Sequence, residues 1–156
     1  MKSMKLSLKE QLKWLQDQKI KVDTIEKMLE LETLYLGSNK LTSIPNLNLP
    51  NLEYLNLESN YLTSIPNLNL PNLKYLHLNN NQLTTIPVFN LPELKALSIE
   101  NNQLVAIPHL NLPNLKYLYL HNNQLTAIPT AFKNVPFIAF FNNVLMPYAI
   151  SETSQL

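Results

Sequence analysis

The chain has no cysteine, no arginine and a single glycine among its 156 residues. Small extracellular domains often depend on disulfides, so the lack of cysteine favours a reducing compartment. Arginine is the side chain best suited to bidentate contacts with phosphate or guanine, so its absence weighs against nucleic-acid recognition. With Gly37 as the one glycine, there is no glycine-rich loop to cradle a phosphate or a dinucleotide.

Net charge and long apolar segments are also scarce. The formal net charge is +1, so bulk electrostatics indicates neither a nucleic acid nor an acidic membrane as partner. No segment approaches the roughly 20 apolar residues that a membrane span requires. Charged residues recur throughout residues 1–18, so we expect no cleaved signal peptide. The sequence predicts an intracellular, cytoplasmic protein with one structural domain.

The chain is instead dominated by one pattern, L-x-x-L-x-L-x-x-N-x-L, which occurs six times. The repeats begin at Leu31, Leu52, Leu73, Leu94, Leu115 and Val135, a spacing of 21 residues four times and then 20. Apolar residues occupy positions 1, 4, 6, 11, 14, 17 and 19 of a full repeat, and positions 3 to 7 alternate as in a strand. Stacked repeats of this length predict a parallel sheet of six short strands, with positions 3, 5 and 7 on its concave face.

Asparagine and proline define the rest of each repeat. Position 9 is asparagine every time, in the column Asn39, Asn60, Asn81, Asn102, Asn123 and Asn143. An amide both donates and accepts hydrogen bonds, so we expect this column to satisfy the backbone of neighbouring turns. Prolines at positions 15 and 20, such as Pro45 and Pro50, exclude an α-helix and predict an extended or 3₁₀ convex side.

The segments that flank the repeats are predicted to cover the two ends of the core. Ser7 to about Gln18 favours a helix, because Ser7 and Glu10 have the spacing of a capping box and leucines form an apolar stripe. Residues 21–30 resemble the back half of a repeat. The predicted organisation is a helical N-terminal cap and partial repeat at 1–30, six repeats at 31–145, and a C-terminal cap with a flexible tail at 146–156.

The repeats differ from one another mainly on the predicted concave face. From first repeat to last, position 3 reads T-Y-Y-A-Y-F, position 5 reads Y-N-H-S-Y-A and position 7 reads G-E-N-E-H-F. By contrast, residues 41–52 and 62–73 are identical. Tyrosine gives a large contact area with little rotamer entropy to lose, as at binding hot spots, although high strand propensity also explains its presence.

The concave face is therefore the predicted surface for a partner. Its predicted partner-binding residues are Tyr35, Tyr54, Asn56, Glu58, Tyr75, His77, Ala96, Ser98, Glu100, Tyr117, Tyr119, His121 and Phe137. Ala96 interrupts the aromatic row between Tyr75 and Tyr117. This interruption predicts a notch that receives a partner side chain.

A catalytic or metal site is the weaker interpretation of the same face. Its titratable residues include Glu58, His77, Glu100 and His121. Glu100 and His121 share position 7 on neighbouring strands, where a salt bridge or a metal contact is feasible. The two histidines lie in different rows two strands apart, too far to share an ion at ligand distances of about 2 Å. We therefore expect no enzyme, no cofactor and no metal.

The full repeat, LxxLxLxxNxLTxIPxLxLPN, resembles the short leucine-rich repeats of about 20–22 residues found in bacterial effectors. This resemblance implies an α/β, right-handed, curved solenoid with a helical N-terminal cap and strands on the concave side. It also implies a monomeric module that binds a protein partner, in some members a host protein met inside the host cell. A bacterial cytosolic scaffold without a host role stays open as the alternative. Some members carry a ubiquitin-ligase domain with a catalytic cysteine, which this chain lacks.

Overall fold

The structure, a computed structural model, describes residues 5–144. In this range, the helices and strands are α1 (Leu8–Asp17), α2 (Ile25–Leu29), β1 (Thr33–Tyr35), β2 (Tyr54–Asn56), β3 (Tyr75–His77), β4 (Ala96–Ser98), β5 (Tyr117–Tyr119), a 3₁₀ helix (Thr130–Phe132) and β6 (Phe137–Ala139). The predicted C-terminal cap at 146–156 lies outside the described residues. The division of the chain into caps and repeats stays a prediction.

The strands form one parallel sheet in the order β1 to β6, which confirms the predicted architecture. Every pair is in the same register, so that position 3 of one repeat lies beside position 3 of the next. Tyr54, for example, pairs with Tyr75, and Tyr75 pairs with Ala96. Because the register never shifts, each position of the repeat forms a row that crosses the sheet.

The inward positions of the repeats form one continuous apolar core. At position 4, Leu55, Leu76, Leu97 and Leu118 are all buried, as are the leucines and isoleucine of position 6. Burial of a leucine side chain stabilises the fold by about 1.5–3 kcal/mol relative to its exposure. The repeated leucines therefore explain why the solenoid forms, and they leave specificity to the outward positions.

The asparagine column satisfies the backbone of adjacent turns, as predicted. The Asn60 side chain accepts hydrogen bonds at Oδ1 from the backbone N–H groups of Asn39 (3.1 Å) and Leu41 (2.9 Å). Its Nδ2 donates to the carbonyl oxygens of Leu36 (2.9 Å) and Leu57 (3.0 Å). Equivalent bonds to the preceding repeat occur at Asn81, Asn102, Asn123 and Asn143. Asn39 opens the first repeat's turn, and its side chain is exposed.

Position 8 adopts left-handed backbone in all six repeats, a feature that the repeat pattern did not reveal. The residues with φ between 53° and 57° are Ser38, Ser59, Asn80, Asn101, Asn122 and Asn142. Asparagine tolerates this conformation better than most residues with a Cβ. In the last three repeats these side chains also bond to each other, from Asn122 Nδ2 to Asn101 Oδ1 (2.6 Å) and from Asn142 Nδ2 to Asn122 Oδ1 (2.8 Å).

The N-terminal helix forms with the predicted capping box. Ser7 Oγ accepts a hydrogen bond from the backbone N–H of Glu10 (3.3 Å), and Glu10 Oε2 accepts one from the backbone N–H of Ser7 (2.7 Å). Leu15 is buried in the core, and Leu8 and Leu12 pack against it. The predicted apolar stripe thus joins the cap to the solenoid.

The segment between α1 and the first repeat, predicted to resemble the back half of a repeat, contains a second helix. Ile25–Leu29 forms a short helix, α2, whose N-cap Thr24 accepts a hydrogen bond at Oγ1 from the backbone N–H of Lys27 (3.2 Å). Residues 21–30 contain none of the prolines that keep the later convex segments extended. Similarity to a repeat in its apolar residues therefore did not extend to its backbone.

Candidate functional site: the concave face of the sheet

Positions 3 and 5 point outward along the sheet, while position 4 between them is buried. Tyr35 is 61% exposed, Tyr75 40% and Tyr117 48%. These fractions are high for such large side chains, which are usually intermediate in burial. The structure thus places the predicted tyrosines together on one open surface.

The aromatic side chains of the first three strands contact one another. Tyr54 is the centre of this N-terminal aromatic cluster, with ring centroids 5.1 Å from Tyr35, 6.2 Å from Tyr75 and 5.2 Å from His77. All three pairs are tilted, a favourable geometry for aromatic rings at these distances. The cluster therefore presents a continuous apolar surface with hydroxyl groups attached.

A second group of aromatic side chains lies at the other end of the sheet. In this C-terminal aromatic cluster, the Phe137 ring lies 6.3 Å from Tyr117 and 5.4 Å from Tyr119. Beside it, Phe141 stacks on His121 with centroids 4.4 Å apart and an angle of 16° between the rings. Phe141 was outside the predicted set, although it is the last member of position 7 and is 61% exposed.

Strand β4 separates the two clusters with small side chains. Ala96 lies in register between Tyr75 and Tyr117, and Ser98 lies between His77 and Tyr119. Ser98 is only 6% exposed, so it forms part of the floor of the face. The interruption predicted at Ala96 is therefore present in the row of position 3 and also in the row of position 5. The notch is this break, formed by Ala96 and Ser98.

The position 7 residues form a polar row beside the aromatic clusters. The backbone N–H of Asn80 donates to the carbonyl of Glu100, and that of Asn101 donates to the carbonyl of His121, both at 3.1 Å. These bonds keep Asn79, Glu100 and His121 in register beyond the ends of the strands. The polar row is defined as Glu58, Asn79, Glu100 and His121.

Gly37 is the position 7 residue of the first repeat, and its lack of a side chain leaves room for Asn56 and Glu58. A Cβ at Gly37 would lie 3.0 Å from Asn56 Oδ1 and 3.1 Å from Glu58 Cγ. Asn56 Oδ1 also accepts a hydrogen bond from the backbone N–H of Glu58 (2.9 Å). The Asn56 side chain is thus held by the backbone of Glu58, in space that a side chain at position 37 would restrict.

Partial burial shifts the protonation of two groups on this face. Burial raises the pKa of Glu100 above its ordinary value, while its own backbone hydrogen bond and the charge of His121 lower it in part. Burial lowers the pKa of His77, against a smaller opposite effect from Glu58. Both groups are therefore held in surroundings that disfavour their charged forms.

The feasible salt bridge between Glu100 and His121 is not formed. Within residues 5–144, the ion pairs closer than 4.0 Å join Lys13 to Asp17, Lys27 to Asp23 and Lys74 to Glu53, and all lie outside the polar row. No group of three histidine, aspartate or glutamate side chains in that part of the chain is arranged to hold a metal ion. Nor does any helix described there have the length and apolar character needed to cross a membrane.

Comparison with known proteins agrees with the fold. The family model described as "Leucine Rich repeats (2 copies)" matches residues 29–70, 50–91, 71–111 and 92–134. Comparison with curated proteins gives no match.

Solved structures of bacterial leucine-rich-repeat proteins are similar to this chain. YopM from Yersinia enterocolitica WA-314 is 28% identical over 90% of this chain and 34% of that chain, with a TM-score of 0.73. InlP from Listeria monocytogenes is 33% identical over 70% of this chain and 39% of that chain, with a TM-score of 0.59. YopM from Yersinia pestis is described as a leucine-rich effector protein. It is 26% identical over 90% of this chain and 49% of that chain, with a TM-score of 0.65.

The chain thus spans about a third to a half of the length of these neighbours. The family match extends over most of the chain, and the structure shows the six stacked strands that the repeats require. The chain belongs to the leucine-rich-repeat family and resembles its bacterial effector members.

Proposed function

We propose that this protein binds a protein partner on its concave face, with the partner lying across both aromatic clusters. The observation that supports this proposal most is the notch, where Ala96 and Ser98 separate two groups of contacting rings. An inserted partner side chain would be flanked by Tyr75 and Tyr117. Hot spots of protein interfaces are enriched in tyrosine and lie in well-packed pockets filled by partner side chains.

The composition of the face agrees with a protein ligand rather than a small molecule. Small-molecule sites are concave and enclosed, whereas the concave face is an extended sheet with half-exposed tyrosines. Tyrosine supplies both apolar area and a hydroxyl group, which suits a partner surface of mixed polarity. In this proposal the protein is a monomeric binding module, without a catalytic role or a cofactor.

The partner is a host protein in this proposal, and the chain acts inside the host cell. Support comes from the likeness to YopM of Yersinia pestis, which is described as an effector, and from the lack of cysteine in the sequence. A bacterial cytosolic scaffold is the alternative, and it predicts a partner from bacteria instead.

Affinity capture tests both parts of the proposal. The full chain is immobilised and exposed separately to host and bacterial lysates, and bound proteins are quantified by mass spectrometry. Replacement of Tyr54, Tyr75 and Tyr117 by alanine should lower capture of the partner at least about tenfold, because hot-spot side chains each contribute roughly 2 kcal/mol or more. The matched control is Val88→Ala with Val105→Ala, which removes exposed apolar side chains outside the concave rows.

The outcome separates the alternatives. Capture from host lysate that is lost only in the tyrosine variant supports the host-directed function. Capture from bacterial lysate alone favours the scaffold. Equal capture by the tyrosine variant and the wild type contradicts the concave-face proposal, provided that thermal unfolding shows both variants to be folded.

A further inference from the structure

Three neighbouring side chains of the polar row each have a buried atom without a hydrogen-bond partner. These atoms are Asn79 Oδ1, Glu100 Oε2 and His121 Nδ1, and none has a partner among residues 5–144. Buried polar atoms in folded proteins nearly always have one. Three exceptions on consecutive repeats indicate a place where a ligand supplies the missing bonds.

All three atoms can accept a hydrogen bond. Carboxylate and amide oxygens are acceptors, and Nδ1 accepts when the imidazole is neutral with its proton on Nε2. The group that fits them must therefore be a donor. It must also reach several acceptors, because neighbouring strands of a sheet lie about 4.8 Å apart and Glu100 and His121 form no direct ion pair.

The charge of the concave face favours a cationic donor. Glu58 and Glu100 both lie on position 7, whereas positions 3, 5 and 7 contain no lysine in any repeat. Burial raises the pKa of Glu100, as expected for a partly desolvated carboxylate. A positive group that binds here would relieve this penalty and would meet no lysine on the same rows.

A guanidinium group fits the row better than an ammonium group. It is planar, carries five donors in a fixed fork, and can bond a carboxylate through two of them while a third reaches a neighbouring acceptor. It also stacks on aromatic rings, which the His121–Phe141 pair offers at one end of the row. An ammonium group is a compact point charge with weaker directional preference.

We propose that Asn79, Glu100 and His121 bind the guanidinium group of an arginine side chain supplied by the protein partner. The assignment of this arginine to a partner protein rests on the function proposed above. All three side chains are partly exposed, so the site is open to the concave surface. Their terminal torsions have broad energy profiles, so the side chains can reorient to meet the ligand.

An NMR titration of the full chain tests the guanidinium site directly. The probe is Nα-acetyl-arginine amide, added at constant ionic strength while the side-chain signals of Asn79, Glu100 and His121 are followed. Saturable shifts confined to these three residues are expected, with weaker binding of Nα-acetyl-lysine amide and none of the uncharged citrulline analogue. Glu100→Gln should weaken binding at least about tenfold, as expected when a charge-assisted hydrogen bond is lost.

Glu93→Gln is the matched control, because Glu93 is an exposed glutamate at position 21, outside the concave rows. It should bind the arginine amide as the wild type does. Shifts that do not saturate, that persist in Glu100→Gln, or that are equally strong with the lysine amide would overturn the proposal. If this titration fails while the tyrosine variant still loses its partner, only the arginine site is wrong. If the arginine amide binds but the tyrosine variant keeps its partner, the concave-face function is wrong instead.

Discussion

Gln11 in the first helix accepts a hydrogen bond from the backbone N–H of Asn48, 37 residues away in the first repeat, at 2.7 Å. The same side chain donates from Nε2 to the carbonyl of Leu6 at 2.9 Å, and it is almost fully buried. A polar side chain in this place fixes the angle and depth at which the helix covers the end of the core. The N-terminal cap is therefore joined to the solenoid by a specific polar contact as well as by leucines.

Replacement of Gln11 by alanine should destabilise the protein by about 1–3 kcal/mol, because the backbone N–H of Asn48 loses its acceptor in a partly buried hydrogen bond. Urea unfolding followed by circular dichroism measures the change. Lys9→Ala is the control on the exposed side of the same helix, and it should alter the free energy of unfolding by less than about 0.5 kcal/mol. Equal stability of the two variants would show that Gln11 does not join the cap to the repeats.

Asn102→Ala should lower the free energy of unfolding more than Asn39→Ala, the same change at the first asparagine of the column. Asn102 accepts at Oδ1 from the backbone N–H of Leu83 and donates at Nδ2 to the carbonyls of Leu78 and Ile99. Loss of these bonds leaves buried groups unsatisfied, at a cost of about 2–4 kcal/mol. Asn39→Ala, at an exposed side chain, should cost much less in the same urea experiment. A similar loss at both positions would contradict the role assigned to the column.

Ser59→Asn should stabilise the protein by about 0.5 kcal/mol, because asparagine adopts left-handed backbone more readily than other residues with a Cβ. Ser59 has a φ of 53° at position 8, where the later repeats carry asparagine. Thermal unfolding detects the gain as a higher midpoint. Ser64→Asn, an exposed residue of the same repeat outside the left-handed set, should give no increase.

The raised pKa of Glu100 predicts a specific dependence of stability on pH. Between the ordinary glutamate pKa of 4.5 and the higher pKa in the folded protein, the folded chain binds more protons than the unfolded chain. Stability therefore falls as pH rises through that window, and the contribution of Glu100 is most favourable below it. Glu100→Gln should remove this fall, which urea unfolding from pH 4 to pH 8 would show. An unchanged pH profile in the variant would mean that Glu100 is not desolvated.

The fold could be predicted because its determinants are periodic. Positions 4 and 6 are apolar in every repeat, and position 9 is always asparagine, so one repeat is evidence for the next. At residues 25–29 the apolar spacing also resembles a repeat, but a short helix forms there because the prolines of the later repeats are missing. The repeat pattern also gave no indication that Gln11 is buried, because the hydrogen-bond partner of Gln11 lies in a distant part of the chain.

The candidate site was only partly predictable for a related reason. Alternation along the strands placed the tyrosines on one face, and the register then fixed Ala96 between Tyr75 and Tyr117. The unpartnered atoms of Asn79 and His121 depend on side-chain packing in three dimensions, which no spacing encodes. Phe141 could have been found from position 7, since it follows His121 in the same row.

The central claim is that a partner side chain occupies the notch at Ala96, and Ala96→Trp tests it most directly. The indole would fill the space between Tyr75 and Tyr117 without removing any existing contact of the sheet. In affinity capture from host lysate, we expect this variant to lose the partner while a Val105→Trp control, exposed outside the concave rows, retains it. Equal capture by Ala96→Trp, Val105→Trp and the wild type would contradict the claim.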